Sequence, residues 1–496
     1  MLTLEEAHAG FITALEAELE AARADDMTFD YVPTQKLAEG RSHVYLGTLE
    51  EEVQLLEGSI VRIVDQSGRT AQAEVVAVDD FELVLASEMV LRLGATYTIK
   101  YNLKWLLEAL LDWIRGIDVS VPRPIAEGVI KPGRACSREE FRYRPELSRE
   151  LNEYQADAIV RALDSRLTFI WGPPGTGKSR TISELITQYL IAGKSVLFLS
   201  VSNLAVDIVS KQVIQNENPT IQQLKARHLL LRTGYPRMQP VEQWQGVLPY
   251  EIALEETPEL KRQLDKLKTE RKRLIQKSRQ GENVAGQLKS NRERMELVRA
   301  AVREKVYELE IKARFIATTL AKASVTQSIK GRRFDAVVID EASMMNVPAV
   351  FAALTLATQH GVVAGDFRQL QPILVSSHAK AIRWLGHSVF VSSGIRDAVM
   401  KGHCDDPRLV VLRRQYRMAD EISAMVNAMF YGGILENAQP EARRLIPVSQ
   451  LWERSRLVLV DVSGLRTVCE KDVHSHSRVN RQMAAVSSDL ARQYMD

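Results

Sequence analysis

Hydrophobic and polar positions follow distinct patterns along the first hundred residues. Residues 3 to about 24 have helical spacing with acidic polar positions, which predicts an amphipathic helix. From about Val44 to Lys100, runs of β-branched residues are separated by turn signals such as DQSG. This pattern predicts several short strands that form a small β-barrel. Helical spacing then returns in YNLKWLLEALLDWIRGI, before a connector that contains proline and glycine.

A different pattern begins at about Leu147 and continues to Pro372. Helical stretches alternate with apolar runs, namely LTFIWG, SVLFLSV, RFIATT, FDAVVIDEA and HGVVAGD. Nearly continuous apolar strands of this kind are typical of a parallel sheet covered by helices on both faces. From about Pro407, RLVVLRRQYRM, a helix, the strand-like LVLVDVSG and a last helix predict a further α/β unit.

A long charged insert interrupts the parallel-sheet pattern at about residues 255–311. Apolar residues recur at spacings of three and four on both sides of a break near Gly281 and Gly286. The insert is therefore predicted to be an antiparallel helical hairpin with coiled-coil packing. Its basic segment KRQLDKLKTERKRLIQKSRQ is consistent with a solvated face or with a stripe that faces nucleic acid.

These patterns predict an α/β chain with five parts. They are an N-terminal helical segment (1–43), a small β-barrel (44–100), a helical stalk and linker (101–146), a first α/β domain (147–406) that carries the hairpin, and a partial second domain (407–496).

Composition adds limits on the compartment and the partners. The 496 residues have a net charge of only +2, so a nucleic-acid surface must be a local stripe. Three scattered cysteines suit a reducing compartment. The first residues lack the pattern of a signal peptide, and no apolar run approaches the roughly 20 residues that span a bilayer. We therefore expect a soluble, cytoplasmic protein that is not bound to a membrane.

The segment GPPGTGKS has the spacing of a phosphate-binding loop. Glycines allow backbone N–H groups to surround an anion, the lysine contacts the β- and γ-phosphates, and the hydroxyl binds Mg²⁺. A strand precedes the segment and a helix follows it, as this chemistry requires. We expect ATP to be bound by Gly172, Pro173, Gly175, Thr176, Gly177, Lys178, Ser179 and Arg180.

Two acids end the apolar run FDAVVIDEAS. Asp340 is expected to hold Mg²⁺ together with Ser179, and Glu341 to orient and deprotonate the attacking water. An acidic pair after a strand is a weak signal alone, but it becomes strong when a phosphate-binding loop precedes it at a distance that admits several βα units.

Five further stretches resemble superfamily 1 helicases, specifically the up-frameshift-like group that translocates 5′ to 3′. They are LNEYQADAIVRAL, LSVSNLAVDIV, IATT, GDFRQLQP and LRRQYRM, and they occur in the order that this family has. The resemblance covers roughly Leu151 to Met418. It implies ATP and Mg²⁺ bound between two RecA-like domains, with single-stranded DNA or RNA as the partner. The barrel and the hairpin stand where the family has insertions on its first motor domain.

The resemblance also implies roles for individual residues. Gln155 would contact the adenine base, and Tyr416 would stack near it. Gln369 and Arg417 would approach the γ-phosphate. The backbone of the nucleic acid would be contacted by Ser202, Asn203, Thr318 and Thr319.

The sequence after QYRM departs from the family pattern. Neither a glycine-containing coupling motif nor a second arginine for the γ-phosphate is found before Asp496. This predicts an incomplete second RecA-like domain and slow hydrolysis. The chain is then a fragment of a helicase, one half of a split motor completed by another polypeptide, or a nucleotide-gated module that binds nucleic acid or protein without unwinding. A protein partner of the hairpin is also an open possibility.

One cluster near the end, CEKDVHSHS, raises the question of a metal site. Cys469, His474 and His476 do not have the spacing of a structural zinc site, so an exposed loop is the favoured interpretation.

Overall fold

A computed structural model describes most of the chain. The described residues are 3–22, 27–38, 43–49, 60–79, 82–87, 89–101, 104–132, 147–148, 150–234, 236, 238, 244–279, 282–438, 459–465, 468–471 and 478–495. Contacts divide the chain into two compact units. The first comprises Met1–Gly172 and Lys178–Leu412, and the second comprises Pro173–Gly177 and Arg413–Asp496.

The first unit begins with helix α1 (Leu4–Ala21). Thr3 and Glu6 form a reciprocal cap in which each side chain accepts the backbone N–H of the other residue. The buried ring of Phe11 packs edge-on against Trp384, with ring centroids 4.8 Å apart. Near the other end, the buried carboxylate of Glu18 accepts the backbone N–H groups of Val375 and Ser376 at 2.9 and 2.8 Å. The helix thus holds a segment that directly follows GDFRQLQP.

A closed barrel of six antiparallel strands follows, in the order β1-β2-β5-β4-β3-β6. The strands are β1 (Met27–Ala38), β2 (His43–Leu49), β3 (Ile60–Val64), β4 (Thr70–Asp79), β5 (Glu82–Ser87) and β6 (Tyr97–Tyr101). Strand β1 lies in the range that the sequence analysis assigned to a helical segment (1–43), so the barrel begins at Met27 and not at 44. Its side chains alternate between buried and more exposed positions from Thr28 to Gln35, which is a strand period, but Pro33 at a register shift hides the pattern.

The core of the first unit is a seven-stranded parallel sheet in the order β13-β7-β12-β11-β8-β10-β9. The strands are β7 (Leu167–Trp171), β8 (Val196–Ser200), β9 (Leu230–Arg232), β10 (Phe315–Thr319), β11 (Phe334–Ile339), β12 (Ala357–Gly365) and β13 (Leu409–Val411). Strand β13 pairs with β7 and buries Leu409 and Val410. The boundary predicted at 407 is therefore wrong, because this apolar strand completes the edge of the first sheet and the unit ends at Leu412.

Helices link the barrel to the sheet and cover the sheet. They are α2 (Lys104–Arg115), α3 (Pro124–Glu127), α4 (Glu153–Asp164), α5 (Lys178–Ile191), α6 (Asn203–Ile214), α7 (Pro219–Ala226), α8 (Pro249–Glu256), α9 (Pro258–Arg279), α10 (Ala285–Lys312), α11 (Leu320–Val325), α12 (Gln327–Lys330), α13 (Val347–Leu354), α14 (Ala379–Trp384), α15 (Val389–Ser392) and α16 (Ile395–Met400). In the described part of the chain, no helix is long and apolar enough to cross a membrane.

The charged insert forms a hairpin of two long helices, α9 and α10. Its inner seam buries Leu264, Leu267, Met295 and Val298. Near the turn, Leu274, Val284 and Leu288 pack against Leu46 and Val84 of the barrel. The apolar face at the turn is therefore covered by the barrel, whereas Leu297 on α10 is 73% exposed.

The second unit contains short elements in its described part. They are β14 (Arg414–Gln415) paired with β15 (Glu436–Asn437), α17 (Asp420–Val426), a π-helical turn (Asn427–Tyr431), β16 (Glu470–Lys471) paired with β17 (Arg478–Val479), and α18 (Arg481–Met495). The strand predicted from LVLVDVSG is wrong over the described residues 459–464, where Leu459 is 94% exposed and no described strand pairs with the backbone. His474 and His476 lie outside the described residues, and Cys469 is exposed.

The contact between α1 and the segment at 375–376 can be tested by truncating Glu18. Glu18→Ala removes the acceptor of two N–H groups, of which that of Ser376 is buried. We expect this change to cost about 1–3 kcal/mol and to lower the thermal unfolding midpoint. Glu18→Gln keeps one acceptor oxygen and should have a smaller effect. Glu20→Ala is the matched control, because Glu20 is exposed on the same helix. Equal midpoints for the Glu18→Ala and Glu20→Ala variants would contradict this account of the helix.

Candidate nucleotide site

The glycine-rich segment joins β7 to α5, as its flanks predict. Gly175 and Gly177 have φ angles of +76° and +77°, a conformation that side chains disfavour. Gly172 has a different reason to lack a side chain, because a Cβ there would lie 3.1 Å from the Cβ of Lys178. The backbone N–H of Gly172 donates to the carbonyl oxygen of Gly365 at 3.1 Å, which ties the start of the segment to the end of β12.

Thr176 forms hydrogen bonds within the loop. Its buried hydroxyl donates to the carbonyl oxygen of Pro173 at 2.8 Å, and its N–H donates to the same oxygen at 3.3 Å. A threonine with this bond holds the intervening residues in one compact turn. The residue at this position therefore shapes the loop through its hydroxyl.

Lys178, the first residue of α5, contacts both acids that end β11. Its Nζ lies 2.7 Å from Oε1 of Glu341 and 3.3 Å from Oδ1 of Asp340. The side chain of Asp340 is only 2% exposed, whereas that of Glu341 is 32% exposed. Lys178 and Glu341 are 163 residues apart in sequence, so the loop and the acids meet in one cluster of charges only in the folded chain.

The cluster has one ammonium for two carboxylates. Burial alone would lower the pKa of Lys178, but the charges of Asp340 and Glu341 outweigh it and raise the pKa. Burial raises the pKa of Asp340; the charge of Lys178 opposes this, and that of Glu341 adds to it. The ammonium therefore keeps its proton, while the burial of Asp340 has a cost that the ammonium does not fully offset.

Glu341 has a strained backbone. Its φ and ψ are 55° and 32°, a left-handed conformation that non-glycine residues rarely adopt. Its N–H donates to Oδ1 of Asp340 at 2.8 Å, and the short 3₁₀ helix Ala342–Met344 follows it. Strain of this kind concentrates at functional positions, where the surrounding structure maintains it.

Gln369, the predicted sensor of the γ-phosphate, is held by a buried acid. Its Nε2 donates to Oδ2 of Asp366 at 2.7 Å. Oδ1 of Asp366 accepts the indole N–H of Trp171 at 3.0 Å and the N–H of Arg368 at 3.1 Å. Asp366 therefore connects the sensor to the end of β7, directly before the loop.

The contacts of Gln155 and Arg180 do not test the roles predicted for these residues. Gln155 is buried in the first turn of α4 and forms a reciprocal cap with Asn152: each side-chain oxygen accepts the backbone N–H of the other residue, at 3.0 and 3.1 Å. Arg180 is exposed and forms an ion pair with Glu150.

In the second unit, Gln415 organises the turn that carries Tyr416 and Arg417. Its buried side-chain oxygen accepts the N–H groups of Arg417 and Met418 at 2.9 and 2.7 Å. The N–H of Tyr416 donates to the carbonyl oxygen of Gly175 at 2.8 Å. A Cβ at Gly175 would lie 2.6 Å from the Cβ of Arg417, so this glycine permits the close approach.

The residues predicted to contact nucleic acid lie at the ends of β8 and β10. Ser202 caps α6 by accepting the N–H of Ala205 at 3.1 Å, and Asn203 is the first residue of that helix. Thr319 caps α11 in the same way. The hydroxyl of Thr318 is buried without a hydrogen-bond partner among the described residues, and side-chain contact with a ligand there stays a prediction.

The oxygen donors of the site fit Mg²⁺. This ion usually takes one or two protein oxygens and completes its shell with phosphate and water. Asp340 supplies a buried carboxylate in a region of excess negative charge, and Ser179 supplies a partly exposed hydroxyl on α5. Within the described ranges, no group of three or more His, Cys, Asp or Glu side chains could hold a metal by itself. The donors therefore suit a cation that arrives with a triphosphate.

Comparison with known proteins agrees with this geometry. Two domain-family profiles, both described as an AAA domain, match residues 150–377 and 396–496. A regulator of nonsense transcripts 1 from Caenorhabditis elegans is 30% identical over 313 residues, which cover 62% of this chain and 25% of that protein. The chain belongs to the up-frameshift-like superfamily 1 helicases.

Other members of this helicase family match different shares of the chain. The DNA polymerase alpha-associated DNA helicase A of Saccharomyces cerevisiae is 28% identical over 319 residues, or 60% of this chain and 43% of that protein. The DNA-binding protein SMUBP-2 of Mesocricetus auratus is 26% identical over 446 residues, or 87% of this chain and 42% of that protein. The chain spans less than half the length of these curated relatives.

Three residues of this helicase site were missed by sequence reasoning. Asp366 and Gln415 lie inside recognised stretches, and their buried, fully used polar groups carry no sequence signal of their own. Arg232, which contacts Asn203, lies in the stretch LLRTG outside the recognised ones. A charged residue at the end of an apolar strand was the available hint.

The burial of the Asp340 carboxylate, which the charge of Lys178 offsets only in part, predicts that neutralising this residue stabilises the protein when no nucleotide is bound. The pKa of Asp340 lies above that of an unfolded aspartate, about 4. The folded state therefore loses stability as pH rises from that value through the folded pKa, and the loss is complete above it. We expect Asp340→Asn to raise the thermal unfolding midpoint at neutral pH and to remove this pH dependence.

Asp335 provides the control on the same strand. Its carboxylate accepts three hydrogen bonds, from the N–H and hydroxyl of Ser195 and from Nε2 of Gln359. Asp335→Asn should lower the unfolding midpoint, because one carboxylate oxygen becomes an NH₂ group. This donor then faces the donor groups of Ser195 or Gln359. If Asp340→Asn also lowers the midpoint at neutral pH, the cost of burying the charged carboxylate is not the dominant effect at this site.

Proposed function

We propose that the chain is an ATP-dependent nucleic-acid helicase or translocase that moves 5′ to 3′ along a single strand. The observation that supports this most directly is the contact of the Lys178 ammonium with both Asp340 and Glu341. A lysine from a phosphate-binding loop and two acids from a neighbouring strand end are the parts that triphosphate hydrolysis requires.

In this proposal the charge cluster changes partners when ATP binds. The β- and γ-phosphates attract Lys178 away from the two carboxylates. Asp340 and Ser179 would hold Mg²⁺, which would supply positive charge at the phosphate oxygens. Glu341, the more exposed acid, is left to accept a proton from water. The ammonium thus holds the two carboxylates together until the triphosphate replaces them.

In the proposed reaction, Glu341 acts as the base and four further residues hold the nucleotide. Glu341 takes a proton from water while the water oxygen forms a bond to the γ-phosphorus. The bond between the γ-phosphorus and the bridging oxygen breaks, which leaves ADP and phosphate. Gln369 and Arg417 are proposed to contact the γ-phosphate, and Gln155 and Tyr416 to contact the adenine. Loss of the γ-phosphate removes a ligand that Gln369 and Arg417 are both proposed to contact. The conformation of the protein would therefore depend on the bound nucleotide.

Nucleic acid is proposed to be held by its backbone near Ser202, Asn203, Thr318 and Thr319. Helix α6 directs the positive end of its dipole toward this region, which favours a phosphate. Contacts to phosphates carry little sequence information, so the proposal covers single-stranded DNA and RNA alike.

The function is tested by ATP turnover with and without single-stranded DNA or RNA. We expect single strands to stimulate turnover, and Glu341→Gln to lower kcat by about 10²–10⁴-fold while triphosphate binding is retained. Lys178→Ala should abolish binding and turnover, because the site then lacks its only described ammonium. Lys401→Ala, a change of an exposed lysine, is the control.

The outcomes separate a motor from a clamp. Turnover stimulated by single strands, with displacement of a duplex from a 5′ overhang but not from a 3′ overhang, supports the proposal in full. Binding of a single strand that depends on nucleotide without any turnover would identify a nucleotide-gated clamp and overturn the motor. Full activity of Lys178→Ala would show that the site is wrongly assigned.

A further inference from the structure

A second buried cluster of charges lies beside the proposed nucleic-acid site. Arg232, at the end of β9, forms an ion pair with Asp207 of α6 at 2.9 Å, and both side chains are fully buried. Removing two charges from water is costly, and an ion pair of this kind often stabilises a fold less than apolar residues would. Its presence at this position therefore calls for an explanation other than stability.

Every nitrogen of the Arg232 guanidinium has a defined acceptor. Nε donates to Oδ1 of Asp207 at 2.9 Å, and Nη1 donates to the carbonyl oxygen of Thr233 at 2.6 Å. Nη2 donates to Oδ1 of Asn203 at 2.9 Å. The other oxygen of Asp207 accepts the N–H of Met238 at 3.0 Å. Both partners of the ion pair are therefore fixed in orientation.

The backbone makes room for the guanidinium. Gly234 has a φ angle of +99°, and a Cβ there would lie 3.2 Å from Nη1 of Arg232. The neighbouring residue Thr233 donates its N–H to the carbonyl oxygen of Ala317, directly before Thr318. Arg232 at the end of β9 thus contacts Asn203, and Thr233, the next residue, contacts the end of β10.

The contact with Arg232 decides which end of the Asn203 amide faces the guanidinium. A guanidinium has only donors, so the group that faces it must be the oxygen. The NH₂ group of Asn203 is then the end that is not bound to Arg232. Asn203 is the first residue of α6, next to the exposed cap Ser202, where the helix dipole favours an anion.

We propose that Arg232 is a positioning residue for nucleic-acid binding, because its bond to Oδ1 of Asn203 presents the Nδ2 group of that asparagine as a donor to a backbone phosphate of a single strand. Asp207 acts by holding Arg232 in place. The proposal rests on the nucleic-acid binding proposed above and adds to it the atom that donates and the residue that orients it.

A double-mutant cycle tests the proposal on the full chain. The affinities for a labelled oligothymidylate and a labelled oligouridylate are measured for the wild type, Asn203→Ala, Arg232→Lys and the double variant. Each single change should weaken binding about 10-fold to 100-fold, the range for a hydrogen bond to a charged group. The double variant should bind no more weakly than Asn203→Ala, since Arg232 acts through Asn203.

Asn203→Asp separates positioning from folding. The new carboxylate still accepts a hydrogen bond from Arg232, but it replaces the Nδ2 donor by an acceptor with negative charge. We expect the unfolding midpoint to stay near that of the wild type while binding falls at least as far as for Asn203→Ala. The slope of affinity against salt should be unchanged for Asn203→Ala, because an uncharged donor releases no counterions.

Thr233→Val is the matched structural control. It removes a buried hydrogen bond to Oε1 of Glu310 from the residue next to Arg232, without touching Asn203. It should lower the unfolding midpoint and leave affinity unchanged. Additive losses in the double variant, or wild-type affinity of Asn203→Asp, would overturn the proposal. If the wild type itself binds neither oligonucleotide, the proposed function fails and not this inference alone.

Discussion

The candidate site depends on one ammonium that is shared by two carboxylates. Lys178 is held by Asp340 and Glu341, and its single positive charge offsets only part of the cost of burying the Asp340 carboxylate. Such a cluster is stable enough to order the loop and the strand end, yet it favours any ligand that adds positive charge near Asp340 and negative charge near Lys178. A triphosphate with its magnesium ion does both at once.

A parallel sheet is what brings these groups together. The carboxyl ends of its strands lie at one edge, so residues that follow different strands meet there. Strand β7 leads into the loop, β12 into Asp366, β11 into Asp340, β8 into Ser202 and β10 into Thr318. The order of the strands thus sets the residues proposed to bind nucleotide beside those proposed to contact nucleic acid. A side-chain hydrogen bond from Trp171 to Asp366 joins the ends of β7 and β12.

Sequence reasoning succeeded where local pattern and chemistry coincide. The loop needs glycines at fixed positions and Lys178 needs acids at a strand end, so both were visible as spacing. It failed where the deciding contact is distant in sequence. Strand β13 was assigned to the next domain because only its pairing with β7 places it in the first sheet. Strand β1 was missed because a proline within a run argues against a strand, although the alternation of its side chains continues through Pro33. Arg232 was missed because an ion pair with Asp207 leaves no periodic pattern in the sequence.

The two buried charge clusters differ in a way that fits their proposed roles. Arg232 and Asp207 are balanced in charge, fully buried, and bonded through every guanidinium nitrogen, so exchange of partners would leave a buried charge without compensation. Lys178, Asp340 and Glu341 carry a net negative charge, and Glu341 is one-third exposed, so partners can be exchanged there at lower cost. Because every guanidinium nitrogen of Arg232 is hydrogen-bonded, the first cluster is suited to holding Asn203 in one orientation. Because its charges do not balance, the second cluster is suited to ligand exchange. A motor needs both a nucleic-acid contact of fixed geometry and a nucleotide site whose contacts change in each cycle.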